Sequence, residues 1–210
     1  MTHAGAPSRR AVDPYAEAPR LPEGEGIDPS QLLAAQTAVE LEIGPGRGGF
    51  ILERLQRSSA RIFGLEIRRK WATLVDRRIA GLGLSGRGRV FAEDARLALP
   101  RLLPASLSRV YVHFPDPWWK KRHQKRLLAS AEFAEQMARV LVPGGEFFAQ
   151  TDVPARAQLF LDLFSLRPEF ELLHQEKWAS DPDFGARSPR ERRALEDQLP
   201  IYRVHLRRRP

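Results

Sequence analysis

The stretch "AVELEIGPGRGGFILERL", residues 38–55, constrains this chain more than any other. Residues suited to a strand run into four glycines within six positions, and apolar residues at helical spacing follow at once. A strand that passes straight into a helix cannot return as a hairpin. Its next strand lies parallel, across a covering helix.

The same pattern recurs downstream. "ARIFGLEI" reads as a second strand, followed by a helix with Trp71, Leu74, Val75, Ile79 and Leu82 on one face. "RVFAED" and "RVYVHF" read as strands three and four. Ser130 is placed to cap a helix that carries Phe133, Met137, Val140 and Leu141 inward. "PGG" at 143–145 turns the chain into a fifth strand, "EFFAQTD". A helix near 154–167 presents Leu159, Phe160, Leu163 and Phe164. "FELLHQE" and "IYRVHLRR" read as two late strands. Strands alternating with helices predict an α/β domain, with a mostly parallel sheet covered on both faces. Residues 1–37, rich in Pro, Gly and Glu, read as an extended or partly disordered arm ahead of a domain over 38–210.

Charge narrows the partners. The 210 residues carry a formal net charge of +8, gathered at "KKRHQKR" (120–126), "RSPRERR" (187–193) and "HLRRRP" (205–210). Clustered positive charge of this kind favours a polyanion, and nucleic acid first. The chain has no cysteine, which excludes disulfides and thiolate chemistry. It has no apolar run of about 18 residues for a membrane span, and its first residues lack the apolar centre of a secretory signal. These features predict a cytoplasmic protein without a membrane partner.

Acids recur where a ligand would sit. Glu42 precedes the glycine turn, Glu66 ends strand two and Asp94 ends strand three. Ligands of open parallel sheets bind at the carboxyl ends of the strands. Gly44 and Gly46 let a ligand approach the main chain closely. Such a turn also suits a dinucleotide. An acidic ring favours a cationic ligand over a pyrophosphate, so S-adenosylmethionine fits better than NAD. Each carboxylate alone also suits a solvated cap at a strand end.

The segment "HFPDPWWKKRHQKR", residues 113–126, holds Asp116 between two prolines. Proline fixes its own φ and pushes the preceding residue away from helix, so Asp116 is expected on a stiff extended piece. Trp118 and Trp119 offer stacking surfaces, and five Lys or Arg side chains follow. His113 and His123 lack ligands at metal-site spacing, and no metal is predicted. "SPRE" at 188–191 has the spacing of a helix capping box, with Ser188 as cap and Glu191 three residues later.

Together, "EIGPGRGGF", "GLEIRRK", "AEDA", "FPDPWWKKRHQKRLL", "VLVPGGEFFAQTD" and "SPRERR…IYRVHLRR" resemble the bacterial tRNA (guanine-N7-)-methyltransferases from about residue 39 to 208. The resemblance implies a Rossmann-like class I methyltransferase fold, with seven strands and an antiparallel last strand. It implies S-adenosylmethionine as cofactor, and a guanine of the tRNA variable loop as target. It assigns Glu42, Gly44, Gly46, Glu66, Asp94 and Asp116 to the cofactor site, with Asp116 also catalytic. Lys120, Asp152, Ser188 and Glu191 fall at its substrate contacts, and no obligate protein partner is implied. Two departures stand out. Ser188 replaces the family's usual Thr, and the N-terminal arm is acidic and proline-rich where a basic stretch is common. A methyltransferase acting on another RNA, an NAD-dependent oxidoreductase and a non-catalytic RNA-binding protein are the competing readings of the residues alone.

Overall fold

The computed structural model describes residues 14–34, 38–115 and 128–210. Seven strands form one sheet: β1 (Val39–Ile43), β2 (Ile62–Leu65), β3 (Gly88–Phe91), β4 (Leu107–His113), β5 (Leu141–Thr151), β6 (Phe170–Leu172) and β7 (Tyr202–Arg208). Their order across the sheet is β3-β2-β1-β4-β5-β7-β6. The first five pair in parallel. β7 runs antiparallel to both β5 and β6.

Every residue of β1 and β2 is buried, as in a central strand covered on both faces. One face carries α2 (Gly49–Arg57) and α3 (Arg69–Gly81), whose Phe50, Ile51, Leu55, Val75 and Ile79 pack with Tyr111 and Phe148. The other carries α4 (Ala95–Ala98), α5 (Ala131–Val140) and α6 (Pro154–Ser165), with Phe133, Met137, Phe160 and Phe164 against Phe147. Ser130 caps α5, its hydroxyl accepting from the Phe133 amide at 3.2 Å. Such a cap stabilises a helix by about 1 kcal/mol. The predicted inward stripes hold at Val75, Ile79, Phe133, Met137, Phe160 and Phe164. Leu82 departs from them, because it caps α3 and is half exposed. Leu141 opens β5 instead of closing α5, so that strand starts five residues before "EFFAQTD".

Residues 14–34 have little regular structure beyond the short helix α1 (Pro29–Leu32). They nevertheless lie on the domain. Leu21, Ile27 and Leu33 join the core. The Ala92 amide donates to the Pro19 carbonyl at 2.6 Å, and the Ile27 amide to Arg101 at 2.9 Å. Three apolar side chains spread along a polar, proline-rich segment leave no periodicity to read. Among the described residues, no helix is long and apolar enough to cross a membrane.

Candidate active site

The turn after β1 carries three left-handed glycines, Gly44 (φ 72°), Gly46 (φ 55°) and Gly48 (φ 78°). L-residues with side chains avoid that region. A side chain at Gly44 would meet nothing within 4 Å, so open space lies directly over the main chain there. Glu66, at the end of β2 and 2% exposed, reaches back to this turn. Its Oε2 accepts from the Gly46 amide at 2.9 Å. Its Oε1 accepts from the Arg68 amide at 2.9 Å and from the Arg68 guanidinium at 3.0 Å.

In front of these groups lies a cavity of about 580 Å³. It opens at the carboxyl ends of β1 to β4, between Gly44, Glu66, Asp94 and His113. Asp94 caps α4 by accepting from the Arg96 amide at 3.0 Å, and its side chain also pairs with the Arg96 guanidinium. That hydrogen bond and charge hold its carboxyl below the usual range. The wall is therefore less acidic than the sequence suggested. Arg68 and Arg96, each two residues past an acid, sit in the same cavity and partly neutralise it. Glu93 is committed elsewhere, holding Arg20 and the Leu21 amide of the N-terminal segment.

Glu42 lies beneath the turn, 2% exposed, and is absent from the cavity wall. It takes a hydrogen bond from the Ile51 amide, the third residue of α2. Gly48 caps α2 without a side chain, so Glu42 supplies the acceptor that helix start lacks. Burial pushes its pKa up to about 8 against that bond, and the charge of Glu66 adds to the rise. Its Oε2 is buried without a partner. An unmet buried acceptor is costly, and it is the kind of group a cationic ligand satisfies.

Beside the cavity, His113 ends β4 with its ring 4.2 Å from that of Phe50. Burial pushes its pKa down to about 3, so it is neutral at physiological pH. Its Nδ1 accepts from the Gln150 amide group at 2.9 Å. Gln150 donates its other hydrogen to Glu191 at 2.9 Å and accepts from Arg203 at 3.3 Å. Ser188 and Glu191 form the predicted capping box of α7 (Pro189–Glu196), and both are buried. Glu191 is thus held by its helix, by Gln150 and by Arg203. Asp152 follows β5 and is half-buried, paired with Arg190 of α7. Arg190 in turn lies 5.7 Å from the ring of Phe114.

Phe114 adopts φ 47° immediately before Pro115. Left-handed backbone at a bulky residue costs about 1–3 kcal/mol and tends to mark functional sites. Asp116, Trp118, Trp119, Lys120 and the rest of the basic stretch to Arg126 lie outside the described residues. The chain enters and leaves that segment at Phe114, Pro115 and Leu128, all three on the cavity wall. Among the described residues, no group of three or more His, Asp or Glu could hold a metal ion.

A seven-stranded sheet in this order, with one antiparallel strand and its cavity at the carboxyl ends, defines a Rossmann-like class I methyltransferase fold. A family model described as "Putative methyltransferase" matches residues 36–204. A tRNA (guanine-N(7)-)-methyltransferase of Myxococcus xanthus is 39% identical over 171 residues, 80% of this chain and 82% of that protein. One from a Synechocystis species is 34% identical, over 83% of this chain and 84% of its own length. The solved structure of the 16S rRNA methyltransferase KamB superposes with a TM-score of 0.62 at 17% identity, over 89% of this chain and 96% of that one. The chain belongs to the tRNA (guanine-N(7)-)-methyltransferase family.

Proposed function

We propose that this chain transfers a methyl group from S-adenosylmethionine to N7 of a guanine in tRNA, in the variable loop, giving 7-methylguanosine and S-adenosylhomocysteine. Family membership carries the reaction. One structural observation supports the cofactor: open space over Gly44, flanked by the Glu66 carboxylate and underlain by the unpartnered oxygen of Glu42. These residues fit an adenosyl group that bears positive charge.

In this reading Glu66 keeps lone pairs free for ribose hydroxyls, and Asp94 serves the adenine end. Gly44 and Gly46 admit the cofactor against the main chain, and its positive charge draws the buried Glu42 below them toward the carboxylate form. The cofactor, once bound, supplies an electrophilic methyl group on a sulfonium. Guanine N7 carries an in-plane lone pair and loses no proton when it is alkylated, so the chain needs no general base. A neutral His113 is consistent with that. The protein's main task is alignment, which supplies about 7–11 kcal/mol in well-oriented systems.

Positive charge spreads over the purine as N7 is alkylated. Asp116 is assigned to offset it, with Trp118 and Trp119 as stacking surfaces and Lys120 at the tRNA backbone. Asp152 and the α7 start at Ser188 and Glu191 border the target base, with Glu191 acting through the elements it holds in place. Equilibrium dialysis against labelled S-adenosylmethionine, then transfer of label to unmodified tRNA or to rRNA, tests the reading. Cofactor binding with label in tRNA alone is the expected result. An NAD-binding protein, or one that labels only rRNA, contradicts it.

A further inference from the structure

A second concavity, of about 700 Å³, lies outside the site described above, between α2, α3 and α7. Four arginines reach it, Arg47, Arg57, Arg78 and Arg192, against one acid, Glu53. Glu53 is shared. It pairs with Arg57 at 3.0 Å and with Arg192, and it also accepts from the Arg187 amide at 2.8 Å. One carboxylate between two guanidinium groups leaves positive charge over.

Among the described residues, Arg47 and Arg78 have no carboxylate partner. Arg47 stacks instead, its guanidinium carbon 5.0 Å from the centre of the Trp71 ring. Stacking through the face leaves the N–H edge of an arginine free to bind phosphate. Arg47, Arg57 and Arg78 are all exposed.

The groove is placed to continue the site. One end is the contact between Gly49 and Pro189, at the starts of α2 and α7 and thus at the sheet edge where the cavity opens. The other end holds Arg57 and Arg78, in the last turns of α2 and α3. Between them runs α2, about 13 Å long for nine residues. The first turn of α7 divides the two regions. Arg190 faces Asp152 and Phe114 beside the cavity, while Arg192 faces Glu53 in the groove.

We propose that this groove is a second tRNA contact, which takes the phosphate backbone that runs away from the target base over the start of α7. The proposal rests on the tRNA methyltransferase reading and adds a contact made by residues other than the basic stretch at 120–126. Arginines suit it because they give phosphates charge and paired donors without reading sequence.

The test uses the full chain and an unmodified tRNA transcript, with binding followed by fluorescence anisotropy from about 50 to 200 mM salt. The double variant R57Q/R78Q removes two phosphate contacts, so the log–log salt slope should fall by about 1.4–1.8. Across that range the parent should then lose roughly tenfold more affinity than the variant. KM for tRNA should rise while the saturated rate and cofactor affinity hold. K177Q, at an exposed cation outside the groove and outside the three basic clusters, should behave as the parent.

E53Q makes the opposite prediction. It keeps an acceptor for Arg187 but frees Arg57 and Arg192, so tRNA binding should tighten and the slope steepen. If the parent methylates tRNA and neither variant changes slope or KM, the groove is only a solvated face and the proposal is overturned. A parent that neither binds nor methylates tRNA contradicts the methyltransferase reading itself.

Discussion

The Glu66 carboxylate and the Gly46 amide meet at 2.9 Å, which ties the end of β2 to the turn after β1. The acid that would hold the cofactor ribose also holds the loop that would cradle its far end. Glu66→Gln keeps one oxygen for the loop but loses the charge. It should leave the fold largely intact and weaken S-adenosylmethionine by about 1.5–3 kcal/mol, roughly tenfold or more. Isothermal calorimetry reads this directly. Unchanged affinity would remove Glu66 from the site.

Gly49 and Pro189 define another close approach. A side-chain carbon at Gly49 would lie 2.4 Å from the proline ring. Gly49→Ala should therefore push the start of α7 outward and destabilise the fold by about 1–3 kcal/mol. Adding Pro189→Ala should recover part of that loss. Denaturant unfolding of the single and double variants checks it; simple additivity of the two losses would show that the contact is not the cause.

Much of this was legible in the sequence, for physical reasons. Strands two and three are short apolar runs that lead into acids, strand four is one that leads into a proline, and period and punctuation alone place them. The α7 cap was legible because a capping box is a local pattern, complete in Ser188, Pro189 and Glu191. Long-range pairings were not. Nothing local shows that Glu42 would cap α2, or that Gln150 would join His113 to Glu191, since those partners come from different strands and helices. Arg68 and Arg96 are two of 34 Lys and Arg residues, and basic character alone does not single them out. Their position two residues past Glu66 and Asp94 is the signal that, read as a turn-spanning pair, could have found them.

Glu42 carries a pH signature. Its folded pKa of about 8 lies above the model-peptide carboxylate value, so the folded state binds the extra proton between the two. Stability from this group is present at low pH and is lost as pH rises through that window. Its upper limit is about 4 kcal/mol between about pH 5 and about pH 8. His113 acts in the opposite sense. Its folded pKa is depressed to about 3, so its contribution is present at neutral pH and is lost as pH falls below the ordinary imidazole range. The difference between parent and Glu42→Gln isolates the glutamate. The variant should gain on the parent steadily toward pH 8, as measured by urea midpoints. Parallel curves would place Glu42 in contact with water.

Asp116 is predicted to act in the transition state. Asp116→Asn keeps the size but removes the charge that offsets a cationic purine. Loss of one preorganised electrostatic group costs about 100- to 1,000-fold in rate. Single-turnover methylation should fall by that order, with tRNA affinity changed far less. A variant near the parental rate would make Asp116 a turn residue, held by its prolines for structure alone.

Methylation at N7 of a guanine in tRNA leaves a base that can be mapped chemically. Unmodified tRNA is incubated with the protein and labelled S-adenosylmethionine, then reduced and treated with aniline, which breaks the chain at 7-methylguanosine. One cleavage is expected, at a guanine of the variable loop, and it should depend on both protein and cofactor. Labelled tRNA that resists cleavage, or that carries its methyl group on another base, would contradict it.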